Sequence, residues 1–234
     1  MLTVDNLDVF YGDAQALDGV SLEVAAGSIV AIVGANGAGK TSLIRTIAGM
    51  QAPARGRIRF RDQEIAGLPS YRVCDLGIGQ VAEARQIFPT LSVAENLSMG
   101  AMIPRAQTSR EQNLERVYAL FPRLTERRSQ AAGTLSGGEQ QMLSMSRALA
   151  TKPALLLLDE LSMGLAPLIV EELYERVADL AREGISILNV EQFAQAILGV
   201  STDASIMLHG RITRTGPPQE LAEELAAAYL GASA

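Results

Sequence analysis

Residues 29–33 (IVAIV) form an unbroken apolar run that leads without a spacer into Gly34-Ala35-Asn36-Gly37-Ala38-Gly39-Lys40-Thr41. Beyond the loop, apolar residues recur at helical spacing over 42–48. A run apolar at every position and rich in β-branched side chains reads as a strand buried on both faces, as in parallel sheets. The loop matches G-x-x-x-x-G-K-[ST], in which glycines let the backbone wrap a phosphate with its N–H groups turned inward. The helix start adds the positive end of its dipole at the same point. Strand, loop and helix in this order commit the chain to an α/β core. Lys40 offers a point charge for β- and γ-phosphates, the Thr41 hydroxyl can ligate Mg²⁺, and Ser42 can hydrogen-bond a phosphate oxygen. Gly34, Ala35, Asn36, Gly37, Ala38, Gly39, Lys40, Thr41 and Ser42 are therefore candidate nucleotide contacts.

Around this unit, strand-like and helical runs alternate. Residues 1–9 and 20–24 alternate apolar and polar, as half-exposed antiparallel strands do; 57–60 and 78–81 read as further strands. From 86 to 140 the pattern is mostly helical, with a polar insert near 105–115, which predicts a helical subdomain set into the core. The α/β pattern then resumes. A buried strand spans 154–158, and a helix spans 167–183 with Gly184 as its stop. A second buried strand spans 185–190. His209-Gly210 separates the strands of a hairpin, 204–208 and 211–215, and a terminal helix spans 217–230. The stripe Met142, Met145, Leu149 reads as helix core.

Asp159 and Glu160 follow four leucines at the end of a buried strand. Ligands of open α/β sheets sit at such strand ends. In phosphoryl transfer an aspartate commonly holds Mg²⁺, directly or through water. Glu160 points elsewhere in the pleat, where it can polarise the attacking water.

Net charge is −6 over 234 residues, which argues against a nucleic-acid-binding surface. The lone cysteine, Cys74, excludes an intrachain disulfide and suits a reducing cytoplasm. No secretory leader and no apolar stretch of about 18 residues is found, so membrane contact is expected only through a partner.

Leu135-Ser136-Gly137-Gly138-Glu139-Gln140-Gln141 is a turn rich in backbone N–H groups at a helix start, a second anion site. It resembles the signature motif of ATP-binding cassette (ABC) ATPases, and the resemblance extends over nearly the whole chain. It implies a P-loop NTPase core with an antiparallel β subdomain and an inserted α-helical subdomain. It implies a head-to-tail pair of ATPase subunits, with ATP and Mg²⁺ held between the phosphate loop of one and Ser136, Gly137, Gly138 and Glu139 of the other. Tyr11 matches the aromatic that stacks on adenine, and Met163-Gly164-Leu165-Ala166 the loop that crosses to the partner subunit. Tyr11–Leu17, Ile87–Leu97 and Gly164-Leu165-Ala166-Pro167 are most similar to the ATPase subunits of branched-chain amino acid importers. That resemblance implies transmembrane permease subunits, a solute-binding protein reached indirectly, and a place on the cytoplasmic face of the membrane. Another solute such as urea or an amide, an exported substrate, or a nucleotide sensor with little hydrolysis stay open as alternatives.

Three positions depart from the general ABC pattern. Glu83 stands where a glutamine usually senses Mg²⁺ and the attacking water. Gln192 stands where a histidine usually contacts the γ-phosphate. Leu161 follows Glu160 where proline is usual, and a mild effect on loop order is expected. His209, the only histidine, is expected to be a surface turn residue. With the resemblance, Glu160, Lys40 and Gln192 are the candidate catalytic residues, and Thr41, Asp159 and Glu83 the candidate metal site.

Overall fold

The computed structural model describes residues 1–193 and 195–222. Its centre is a six-stranded sheet ordered β10-β9-β3-β8-β7-β6. The strands are β3 (Ile29–Val33), β6 (Ile78–Val81), β7 (Leu155–Asp159), β8 (Ser186–Glu191), β9 (Asp203–Leu208) and β10 (Arg211–Gly216). All neighbours are parallel except β9 and β10, the hairpin at the edge. A second, antiparallel sheet is ordered β2-β1-β4-β5, with β1 (Leu2–Tyr11), β2 (Ala14–Val24), β4 (Arg55–Phe60) and β5 (Gln63–Glu64).

Strand side chains alternate between faces, and the central strands use both. Ile29, Ala31 and Val33 join a core with Val93, Val117, Met142, Met145 and Leu173, all on helices. Val30 and Ile32 join a second core with Val4, Leu7, Leu17, Ile58 and Phe60 of the antiparallel sheet. Helix α1 (Lys40–Ile47) lies between the sheets and gives Leu43, Ile44 and Ile47 to that second core. Continuous apolar runs were required because neither face of these strands meets water.

The other helices are α2 (Ser70–Leu76), α3 (Val93–Gly100), α4 (Pro104–Gln107), α5 (Arg110–Leu120), α6 (Pro122–Glu126), α7 (Gly137–Ala150), α8 (Pro167–Arg182) and α9 (Gln195–Leu198), and a 3₁₀ turn spans Ala132–Thr134. The polar stretch 105–115 folds as parts of α4 and α5. Two helix starts carry reciprocal caps, Ser92 with Glu95 on α3 and Ser136 with Glu139 on α7. Pro167 opens α8, where its missing N–H has no helical partner to lose.

Sequence-based expectations miss β5, α2 and the first half of β2. Met142, Met145 and Leu149 are buried, as expected. The expected terminal helix is seen from 218 to 222, and its remainder lies outside the described residues. Leu161, for which a mild effect on loop order was expected, is fully buried in the helix-side core.

Candidate nucleotide site

Because β3, β6, β7 and β8 are parallel, their C-terminal ends lie along one edge of the sheet, and the candidate residues follow those ends. The loop after β3 is packed, not merely flexible. A Cβ on Gly34 would sit 2.4 Å from the Met207 carbonyl oxygen of β9. On Gly39, at φ +107, it would sit 2.8 Å from the Ala16 carbonyl oxygen. Backbone hydrogen bonds fix the loop from outside: Gly34 N–H donates to the Glu191 carbonyl (3.2 Å) and Gly210 N–H to the Ala38 carbonyl (2.8 Å). The turn carrying exposed His209 is thus a support for the loop, a role sequence spacing did not reveal.

Lys40 is buried, and its Nζ donates to the carbonyls of Gly34 (2.8 Å) and Ala35 (3.1 Å). The same Nζ lies 3.1 Å from Glu160 Oε1. Thr41 Oγ1 donates to Asp159 Oδ1 at 3.1 Å. Burial pushes the Asp159 carboxyl up to about 6; Glu83 and Glu160 add to this, while the Thr41 hydrogen bond and the Lys40 charge oppose it without cancelling it. The Asp159 and Thr41 oxygens are the donor class Mg²⁺ prefers. Among the described residues, no group of three or more His, Cys, Asp or Glu side chains could hold a metal ion alone. These few donors fit Mg²⁺ bound together with substrate phosphates, its usual mode.

A cavity of about 490 Å³ opens beside this pair, lined by Tyr11, Thr41, Gln80, Glu83, Gln86 and Asp159 among others. Tyr11, one of its lining residues, is exposed. Glu83 enters on a loop in which Ala84, Arg85 and Gln86 all take left-handed φ, at 58°, 64° and 43°. Such angles cost an L-residue about 1–2 kcal/mol each and need outside support. Helix α7 supplies it: Ser144 Oγ donates to the Arg85 carbonyl (2.6 Å), Arg147 to the Gln86 carbonyl (2.6 Å), and Arg85 to Gln140 Oε1 (3.1 Å).

Gly137, Gly138 and their neighbours sit at the start of α7. Ser136 Oγ accepts from Glu139 N–H at 3.4 Å, and the Glu139 carboxylate accepts from Ser136 N–H at 2.9 Å. Glu139 also pairs with Arg127 at 2.9 Å. Its side chain thus holds the helix start. Ser42 lies half-buried on the first turn of α1. Gln192, half-buried, directly follows β8.

Sequence reasoning missed Glu191. Its side chain is fully buried. Oε1 accepts from Tyr174 Oη (2.6 Å) and Ser162 N–H (2.9 Å), and Oε2 accepts from Ser162 Oγ (2.9 Å). Burial pushes this carboxyl above its ordinary range. The available signal was an acid closing a strand buried at every position.

The profile of the ABC transporter family matches residues 17–162. The high-affinity branched-chain amino acid transport ATP-binding protein BraG of Pseudomonas aeruginosa is 45% identical over 233 residues, covering 99% of this chain and 100% of the relative. The probable branched-chain amino acid transport ATP-binding protein LivF of Archaeoglobus fulgidus is 34% identical over 95% of this chain and 94% of its own. The fold is similar to the ADP conformation of MJ1267, an ATP-binding cassette of an ABC transporter. That match has a TM-score of 0.88 at 25% identity, over 99% of this chain and 98% of that one. With phosphate loop, acid pair and capped glycine turn all placed in this fold, the chain belongs to the ABC transporter family.

Proposed function

We propose that this chain is the ATP-binding and ATP-hydrolysing subunit of an ABC importer for amino acids, branched-chain ones foremost. The carrying observation is that two neighbouring residues at the start of α1 each engage one of the two acids at the end of β7, Lys40 with Glu160 and Thr41 with Asp159, at 3.1 Å in both pairs. Full-length similarity to BraG supports the solute class.

In this reading the backbone N–H groups of 34–41, with Ser42, bind the phosphates and Tyr11 stacks on adenine. Thr41 and Asp159 would hold Mg²⁺, with Glu83 beside them. Bound there, Mg²⁺ would supply charge neutralisation for the transferred phosphoryl group. Lys40 Nζ lies 3.1 Å from Glu160 Oε1. Phosphate competes for the same ammonium, and its capture of Lys40 leaves the Glu160 carboxylate able to take a proton from the attacking water. Gln192 donates a neutral amide hydrogen bond toward the γ-phosphate.

The glycine turn at Ser136–Gly138 completes the site of a second ATPase subunit, this chain again or a related one, in a head-to-tail pair. The helical subdomain, 86–140, and the loop of Glu83 carry the signal to permease subunits. A solute-binding protein acts indirectly. The chain sits peripherally on the cytoplasmic face; among the described residues no helix is long and apolar enough to cross a membrane.

The test is ATP hydrolysis by the chain co-purified with its membrane subunits, across a panel of solutes. Stimulation by leucine, isoleucine or valine supports the proposal. Hydrolysis stimulated only by another solute removes the solute class, and MgATP binding without hydrolysis in every condition removes the enzyme.

A further inference from the structure

Three segments of the candidate site end next to one residue. The Glu191 carbonyl accepts from Gly34 N–H at the start of the phosphate loop, at 3.2 Å. Its carboxylate takes both donors of Ser162, two residues beyond Glu160, at 2.9 Å each. Gln192 is its chain neighbour. Tyr174 of α8 closes the set at 2.6 Å and is in turn held by Asn189 Nδ2 at 3.3 Å. Burying a carboxylate is costly unless hydrogen bonds repay the lost water. Here three donors converge on it and no basic side chain pairs with it among the described residues. A leucine would fill the volume without that cost, but it could not hold the Ser162 amide.

Glu160 lies at φ +53, a left-handed angle that a glutamate keeps only when its surroundings impose it. On one side its N–H is fixed to the Val190 carbonyl at 3.0 Å. On the other side, buried Leu161 and the Ser162–Glu191 bonds fix the chain that leaves it.

We infer that Glu191 is the positioning residue that sets Glu160, and with it Gln192, against the phosphate loop by clamping Ser162. The inference rests on the reading of Glu160 as the base, and it adds a residue to which no role has been given. Glu191 touches no substrate atom. It acts through the backbone of 160–162, so its loss should lower turnover and leave ATP binding alone.

The experiment compares Glu191→Ala, Glu191→Gln and Glu160→Gln in the full chain, with three readouts. These are ATP affinity, single-turnover hydrolysis, and hydrogen exchange of the nucleotide-free protein over 161–166. Glu191→Ala should slow hydrolysis about 10- to 100-fold, the scale of a misplaced catalytic group, with ATP affinity unchanged. Its Ser162 amide should exchange about tenfold faster or more. Glu191→Gln keeps an oxygen for Tyr174 and the Ser162 amide, and its NH₂ can donate to Ser162 Oγ, so it should restore all three readouts. Unchanged exchange and turnover in Glu191→Ala overturns the inference. So does a Glu191→Gln as slow as Glu191→Ala with wild-type exchange, since charge and not position would then matter. If Glu191→Ala does not fold, Ser162→Ala and Tyr174→Phe decide: slower turnover with faster exchange supports the clamp, and normal exchange in both overturns it. Wild-type hydrolysis by Glu160→Gln would instead remove the reading of the base, which the exchange readout does not depend on.

Discussion

Replacing Gly34 by alanine tests whether the phosphate loop is held by packing against the neighbouring strand. The added Cβ would lie 2.4 Å from the Met207 carbonyl oxygen, where real contacts begin at 3.0 Å. Met207 is on β9, hydrogen-bonded on both sides, so the loop and not the strand must yield, by about 0.6 Å. Overpacking of this kind costs about 1–3 kcal/mol. For a chain of this length that lowers Tm by roughly 2–12 °C, at about 2–4 °C per kcal/mol. A displaced loop must return to its original path to bind phosphate, so whatever part of the strain it relieved by moving reappears on binding, and the losses of stability and affinity together make up the total. ATP affinity falls by up to about 100-fold, since each 1.4 kcal/mol is tenfold. Gly184→Ala is the control. It forces alanine to φ +94 with nothing within 4 Å, far along the chain at the end of α8. That substitution lowers Tm through backbone strain of about 1–2 kcal/mol and leaves affinity untouched. The assay is thermal unfolding in parallel with titration of a fluorescent ATP analogue in Mg²⁺. Wild-type affinity in Gly34→Ala, or equal loss of affinity in Gly184→Ala, refutes the argument.

Glu160→Gln should bind MgATP and lose turnover by about 10²-fold or more, read as phosphate release from the reconstituted complex. Leu161→Ala removes a fully buried side chain from the helix-side core and should cost about 2–5 kcal/mol in chemical denaturation. A change under about 0.5 kcal/mol would contradict its placement there. Ser136→Ala breaks the reciprocal cap on α7 and should lower stability by about 0.5–2 kcal/mol. Its effect on hydrolysis should appear only under conditions where ATPase subunits pair, as a titration of protein concentration would reveal.

What could be read in the sequence is what chemistry or solvation repeats at fixed spacing. The phosphate loop needs glycines, a lysine and a hydroxyl in one order, and the strands before it and before Asp159 need apolar residues on both faces. Those demands are local. Glu191 was invisible because its partners, Ser162 and Tyr174, stand 29 and 17 residues away and meet it only in the folded sheet. The Gly210 support for the loop is hidden for the same reason. Leu161 was judged by what it lacks relative to proline, although its own apolar side chain places it in the core. Strand β5, two residues long, and short helix α2 carry too few positions for either periodicity to register. Glu139 was assigned to nucleotide by resemblance, and its place in the cap and its pairing with Arg127 add a structural task that the resemblance did not name.

The sheet order has a consequence for the chain as it leaves the ribosome. Strand β3 pairs with β8 and β9, whose residues are synthesised about 160 to 170 positions later. At roughly 5–20 residues per second, β3 waits on the order of 8–35 s before either neighbour exists. During that interval five apolar residues and the loop they precede have no sheet to join. The ability to bind nucleotide is thus among the last properties the nascent chain acquires, and a truncated product ending before 186 cannot compete for ATP with finished subunits.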